Sequence, residues 1–118
     1  MTTNMHDYIV RSKQIKWLPL IEGGKSYSGI YVKSLRYDNS TKRSKTILLK
    51  FEAGASYPYH NHPAGEELFI LEGEAIIEGL TFTEGDYLYT PPDFKHAVKT
   101  LIGCTILFLC LKKLKSSN

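Results

Sequence analysis

Three of the four histidines in this 118-residue chain stand where they could share a metal ion with a carboxylate. His60 and His62 are separated by one residue within the segment from Gly54 to Gly73, GASYPYHNHPAGEELFILEG. On a strand, residues two apart project from one face, about 6.6 Å apart along the backbone. Both imidazoles can then converge on one ion at roughly 2.0–2.1 Å per Zn–N bond. Pro63 interrupts that strand and Ala64-Gly65 turns the chain. Glu66 re-enters at the head of the next strand, where its carboxylate can face the same ion. His96 arrives much later, after Pro91-Pro92. Alone, a histidine pair at this spacing is a weak signal. His60 and His62 read also as surface imidazoles beside a tyrosine-rich loop, and Glu66-Glu67 as two solvated carboxylates.

The elements that must position these residues are short strands. Apolar residues recur with period two or in brief runs, bounded by turn residues, and no convincing helix appears. Tyr27 to Tyr37 reads as a strand, Asp38 to Thr41 as a turn and Lys45 to Glu52 as the return strand. Glu67 to Leu71 is a short strand, Glu72-Gly73-Glu74 a tight reversal and Ala75 to Glu78 its partner. Gly79 and Glu84-Gly85-Asp86 mark further turns. Tyr87 to Thr90 is stopped by two prolines, which cannot donate to a ladder. His96 to Thr100 and Cys104 to Lys112 finish the chain around a break at Gly103. Eight or more short strands predict an all-β sandwich or small barrel. Cys104 to Leu111 is apolar on both faces and needs cover on both, from a closed double sheet or a second subunit.

The glycine frame around the histidines resembles the cupin superfamily. Gly54, five residues, His60, one residue, His62, three residues, Glu66, six residues, Gly73 matches the first cupin motif at every spacing. Gly85, five residues, Pro91, then His96 five positions on, matches the second. Trp17-Leu18-Pro19, Val32 to Leu35, Leu48 to Phe51, the Glu66-Glu67 pair and Gly103-Cys104 resemble in particular the cupin domain of the ChrR anti-sigma factors. That subgroup is similar to the acetylacetone-cleaving dioxygenases.

The resemblance implies a small double-stranded β-helix barrel of the jelly-roll type over residues 15–112. An N-terminal tail or arm of residues 1–14 and a C-terminal tail of residues 113–118 would flank it. It nominates His60, His62, Glu66 and His96 as ligands of one divalent ion, with Glu67 pointing out of the barrel. Iron, zinc, manganese and nickel all accept such ligands. By alternation, Leu68 and Ile70 share the face of Glu66, and Val98 shares that of His96. These three, with Tyr57, are candidates for the walls of a substrate pocket, although ordinary packing also accounts for the tyrosine. An iron-dependent dioxygenase acting on a small molecule is the function expected first. A non-catalytic sensor or ligand-binding module of ChrR type, and a metal-dependent isomerase or decarboxylase, are the rivals. Asp93 stands where the second motif has glycine, and Thr100 where it often has asparagine. The acetylacetone-cleaving enzymes use three histidines without the glutamate, so Glu66 sets this chain apart from them.

Composition fits one soluble domain: 42% apolar residues and a net charge of +3. The bases are scattered, so no nucleic-acid partner is expected. The cluster Lys42, Arg43, Lys45 reads as a solvated turn. No stretch is long and apolar enough for a membrane span, and residues 1–7 carry no apolar signal core. A cytoplasmic homodimer is expected. Contact with a sigma factor is not: the ChrR regulators that the chain resembles make it through an N-terminal helical zinc domain, and the first 26 residues hold one histidine, His6, and no cysteine. Cys104 and Cys110 share a strand at about 20 Å, too far for a disulfide, and read as buried thiols.

Overall fold

A computed structural model describes residues 3–60 and 64–111 of the chain, Tyr59 by its backbone alone. These residues form nine strands: β1 (Leu18–Glu22), β2 (Lys25–Asp38), β3 (Arg43–Phe51), β4 (Ser56–His60), β5 (Glu66–Ile77), β6 (Leu80–Thr83), β7 (Tyr87–Thr90), β8 (His96–Lys99) and β9 (Cys104–Cys110). All pairings are antiparallel. The order β1-β2-β3-β9-β5-β8-β4, with β6 and β7 also on β5, is that of the expected jelly-roll barrel. Two short 3-10 turns, Met5–Tyr8 and Ser12–Gln14, precede it. The second is tied to the sheet by the Lys33 ammonium, which donates to the Ser12 carbonyl at 2.7 Å. That ammonium also lies 4.6 Å from the centre of the Trp17 ring. The C-terminal tail expected over residues 113–118 lies outside the described residues.

Alternation places the core. Leu49 faces Ile106 and Ile106 faces Ile70 across β3, β9 and β5. In the next layer Ile47 faces Phe108, which faces Leu68. Except for Ile47, these residues are buried. Complete burial of each contributes about 1.5–3 kcal/mol. The inward column of β5 thus reads Glu66, Leu68, Ile70, with the carboxylate at its end.

Two sequence expectations are corrected. Glu72-Gly73-Glu74 does not reverse the chain: β5 runs unbroken through it. The pairing with β9 slips between Ile70 and Glu72, and Gly73, directly after the slip, takes a positive φ of 76°. The kink carries β5 from one sheet to the other, so its first half pairs with β9 and β7 and its second with β6 and β8. The reversal comes at Glu78-Gly79, both at positive φ, the two-residue hairpin loop that suits the twist of the flanking strands. Nor is the Lys42–Lys45 cluster simply a solvated turn. Lys45 is buried, with its ammonium 3.9 Å from Asp38.

Thr100 explains how this chain manages without asparagine at that position. Its hydroxyl donates to the Glu74 carbonyl at 2.6 Å and accepts from the Gly103 amide at 2.9 Å, tying the turn before β9 to the kinked part of β5. Thr100→Val keeps the shape and leaves both backbone groups without their partner. The expected loss is about 2 kcal/mol in urea unfolding, with Thr100→Ser recovering most of it. An unchanged midpoint in the valine variant would refute this role.

Candidate metal centre

β4 and β8 bring two histidines together. His60 and His96 are register partners, and their ring centroids lie 4.5 Å apart. The β4–β8 register slips between Tyr57 and His60. The His60 Nδ1 lies 3.1 Å from the Pro58 carbonyl, which can only accept. Nδ1 therefore carries the proton, and the lone pair of the neutral ring falls on Nε2. That nitrogen is 4.0 Å from Glu66 Oε1.

His96 is fully buried, and its Nε2 lies 2.9 Å from the same carboxylate oxygen. The turn before it holds Asp93 at a φ of 62°, with the Phe94 amide donating to the Pro91 carbonyl. Proline followed by a residue at positive φ is the type II pattern, where aspartate is a tolerable substitute for glycine. Asp93 therefore keeps the turn that leads into His96.

Glu66 opens β5 between β7 and β9, and only 2% of it is exposed. Thr90 donates its hydroxyl to the Glu66 carbonyl at 3.3 Å. Glu67 points the other way and accepts from the Tyr87 hydroxyl at 2.6 Å.

His60, Glu66 and His96 offer one ligand atom each, all within 4.8 Å of one another. Ligands at 2.0–2.1 Å from a common ion stand roughly 3.0–3.4 Å apart. The observed 2.9 and 4.0 Å bracket that spacing, so two imidazoles and a buried carboxylate fit a divalent ion. His62 lies outside the described residues.

The centre forms part of the wall of a cavity of about 290 Å³. Val32, Leu49, Phe51, Val98 and Phe108 make its apolar body, with Tyr57, Glu22, Arg43, Ser44 and Cys110 as polar lining. Of the proposed pocket residues, Tyr57 and Val98 line it. Leu68 and Ile70 belong to the buried core and are not part of its lining. Tyr57 packs edge-on against His60, with centroids 4.5 Å apart, and donates a short hydrogen bond to the Glu22 carboxylate. Burial first, and then Glu22, push its phenol well above the usual range. Both cysteines are free, and burial raises the Cys104 thiol to about 11, so it is an inert core group.

Sequence reasoning did not single out Glu22, Arg43 or Cys110 for the cavity. The pair Gly23-Gly24, a hairpin signal, would have brought Glu22 to a strand end. Alternation from Ile106 through Phe108 would have turned Cys110 inward.

Comparison with known proteins extends this picture. The sequence is 43% identical over 53 residues, 41% of this chain, to the dimethylsulfoniopropionate lyase DddQ of Ruegeria pomeroyi, the match covering 26% of that protein. The chain thus spans about a quarter of the length of this curated relative. The polyketide cyclase RemF of Streptomyces resistomycificus shares the fold with a TM-score of 0.69 at 17% identity, over 100% of this chain and 89% of the other. The Rhodobacter sphaeroides complex of SigE with the anti-sigma ChrR matches with a TM-score of 0.65 at 23% identity, over 89% and 54%. The sequence profile of the ChrR cupin-like domain matches residues 5–115. With its motifs placed on a jelly-roll barrel, the chain belongs to the ChrR cupin-like domain family.

Proposed function

We propose that this cupin is a metal-dependent enzyme acting on a small molecule in the barrel cavity. One divalent ion per chain is held by His60, His62, Glu66 and His96. The observation that carries the reading is a His–Glu–His donor set within 4.8 Å, of which His60 and Glu66 line a largely apolar cavity. An ion bound there supplies Lewis acidity and, as iron(II), oxygen activation. The chain's own residues do the rest. The Pro58 carbonyl fixes the His60 tautomer, Val98 and Phe108 limit water, and Tyr57 presents a protonated hydroxyl.

Among the reactions open to such a site, we favour dioxygenation of a chelating diketone or enol. The expected result is oxygen uptake by iron-loaded protein with at least one member of a β-diketone panel, abolished by a chelator. Metal retention with no uptake for any of them overturns the dioxygenase reading. Turnover of a carboxylate substrate without oxygen would then favour a lyase, decarboxylase or isomerase, a class supported by the lyase match. The structural similarity to the anti-sigma complex supports a second reading, a metal or ligand sensor, which co-purification with a sigma factor would favour.

We also place the protein in the cytoplasm as a homodimer. Two free thiols suit a reducing compartment. Phe69, Leu71, Tyr87 and Tyr89 are exposed on the adjacent strands β5 and β7 and suit contact with a second copy. No helix among the described residues is long and apolar enough to cross a membrane.

A further inference from the structure

The cavity wall carries an asymmetry of charge that the metal centre does not use. Among the described residues that line it, Arg43 is the only lysine or arginine. Its neighbour across β2 and β3 is Asp38, and that carboxylate is already engaged. Asp38 accepts from the Ser40 amide at 2.9 Å and from the Ser40 hydroxyl at 2.7 Å, and it faces Lys45 at 3.9 Å. Those hydrogen bonds hold the Asp38 carboxyl below its ordinary range. Glu22, the acid of the other rim strand, is taken by the Tyr57 hydroxyl. Glu66 faces the two imidazoles. Arg43 has no carboxylate partner among the described residues, and it is exposed at the first position of β3.

A guanidinium in that position presents a planar fork of donors matched to a carboxylate. Apolar walls concentrate its field in the cavity. Two further carboxylates, Glu22 and Glu66, line the same cavity and oppose a dianion such as a phosphate ester. We propose that Arg43 anchors the carboxylate of a small, largely apolar monoanion whose other end reaches toward the His60–Glu66–His96 centre. This names the substrate class and rests on the proposed function only for what happens at that far end.

The test uses isothermal titration of the whole chain, metal-free and zinc-loaded, with hexanoate and with hexanamide as the neutral match. Wild type should bind hexanoate about tenfold or more tighter than hexanamide, the strength of a charge-assisted hydrogen-bonded pair. Arg43→Gln should lose that preference while its affinity for hexanamide and its zinc content stay unchanged. Arg43→Lys should recover only part, lacking the fork. An equal preference in wild type and Arg43→Gln, or no hexanoate binding by either form, overturns the proposal. Zinc retention separates the two readings. Preference lost in Arg43→Gln with no zinc bound by any form sinks the metal reading and leaves this one standing. Zinc bound normally with no effect of Arg43 does the reverse.

Discussion

His96→Ala removes metal retention: affinity falls at least about a hundredfold, more than the loss of an outer-sphere partner causes. The argument starts from burial. His96 has no exposed surface, and of the two described histidines at the centre its Nε2 lies nearer the Glu66 carboxylate, at 2.9 Å against 4.0 Å for His60. Deleting it strips one ligand and leaves a 2%-exposed carboxylate short of a partner. The metal-free variant should also be less stable, in the range of about 3–5 kcal/mol found when one partner of a buried pair is removed. Metal affinity by chelator competition and stability by urea unfolding of apoprotein separate the two effects. The double variant His96→Ala/Glu66→Gln should regain stability, because the buried charge that lost a partner is gone, without regaining metal. Glu67→Gln is the control, since that side chain faces outward to Tyr87 and its substitution should leave metal affinity unchanged. Full retention by His96→Ala, or loss in Glu67→Gln, would place the metal elsewhere.

Much of this was legible in the residues. The spacing of Gly54, His60, Glu66, Gly73, Gly85, Pro91 and His96 encodes turns and strand faces, both local properties, and such spacing survives folding. Alternation from Glu66 gave the inward column Leu68 and Ile70 correctly, since a pleat leaves no other choice once one residue faces in. What failed was long-range. A glycine flanked by glutamates is equally good as a turn or as a bulge. Only the approach of Gly103 and Cys104 to Gly73 decides, and no local pattern reports that. The wall residues Glu22 and Arg43 were missed for the same reason. Each lies at a strand end beside turn residues, where a charged side chain ordinarily means solvent, and only the closure of the barrel sets both on one cavity. Asp93 shows the converse. An apparent departure from the motif keeps the required positive φ, because aspartate tolerates that conformation better than most side chains do.

The kink in β5 yields the second large effect. At Gly73 an added Cβ would lie 2.1 Å from the Gly103 carbonyl oxygen and 2.8 Å from the Cys104 Cα. Both are backbone atoms, so no side chain can swing away to make room. At Gly79 the φ is nearly the same, 75° against 76°, yet nothing lies within 4 Å of an added Cβ. The two alanine variants therefore share the left-handed backbone penalty, about 1 kcal/mol, and differ in the collision. Gly79→Ala should cost only that much in urea unfolding. Gly73→Ala should cost about 4 kcal/mol or more, among the largest single-residue effects, because β5 and β9 must separate where Gly73 pairs with Cys104. The damage should also reach the site. The first half of β5 carries Glu66, and its second half pairs with β8 through Ile77 and Val98, on the strand that begins with His96. Shifting the kink changes the relation between carboxylate and imidazole. At a urea concentration low enough to keep it folded, Gly73→Ala should bind metal more weakly than Gly79→Ala. If the two variants prove equally stable, the close approach of β9 to the kink is not what shapes this strand.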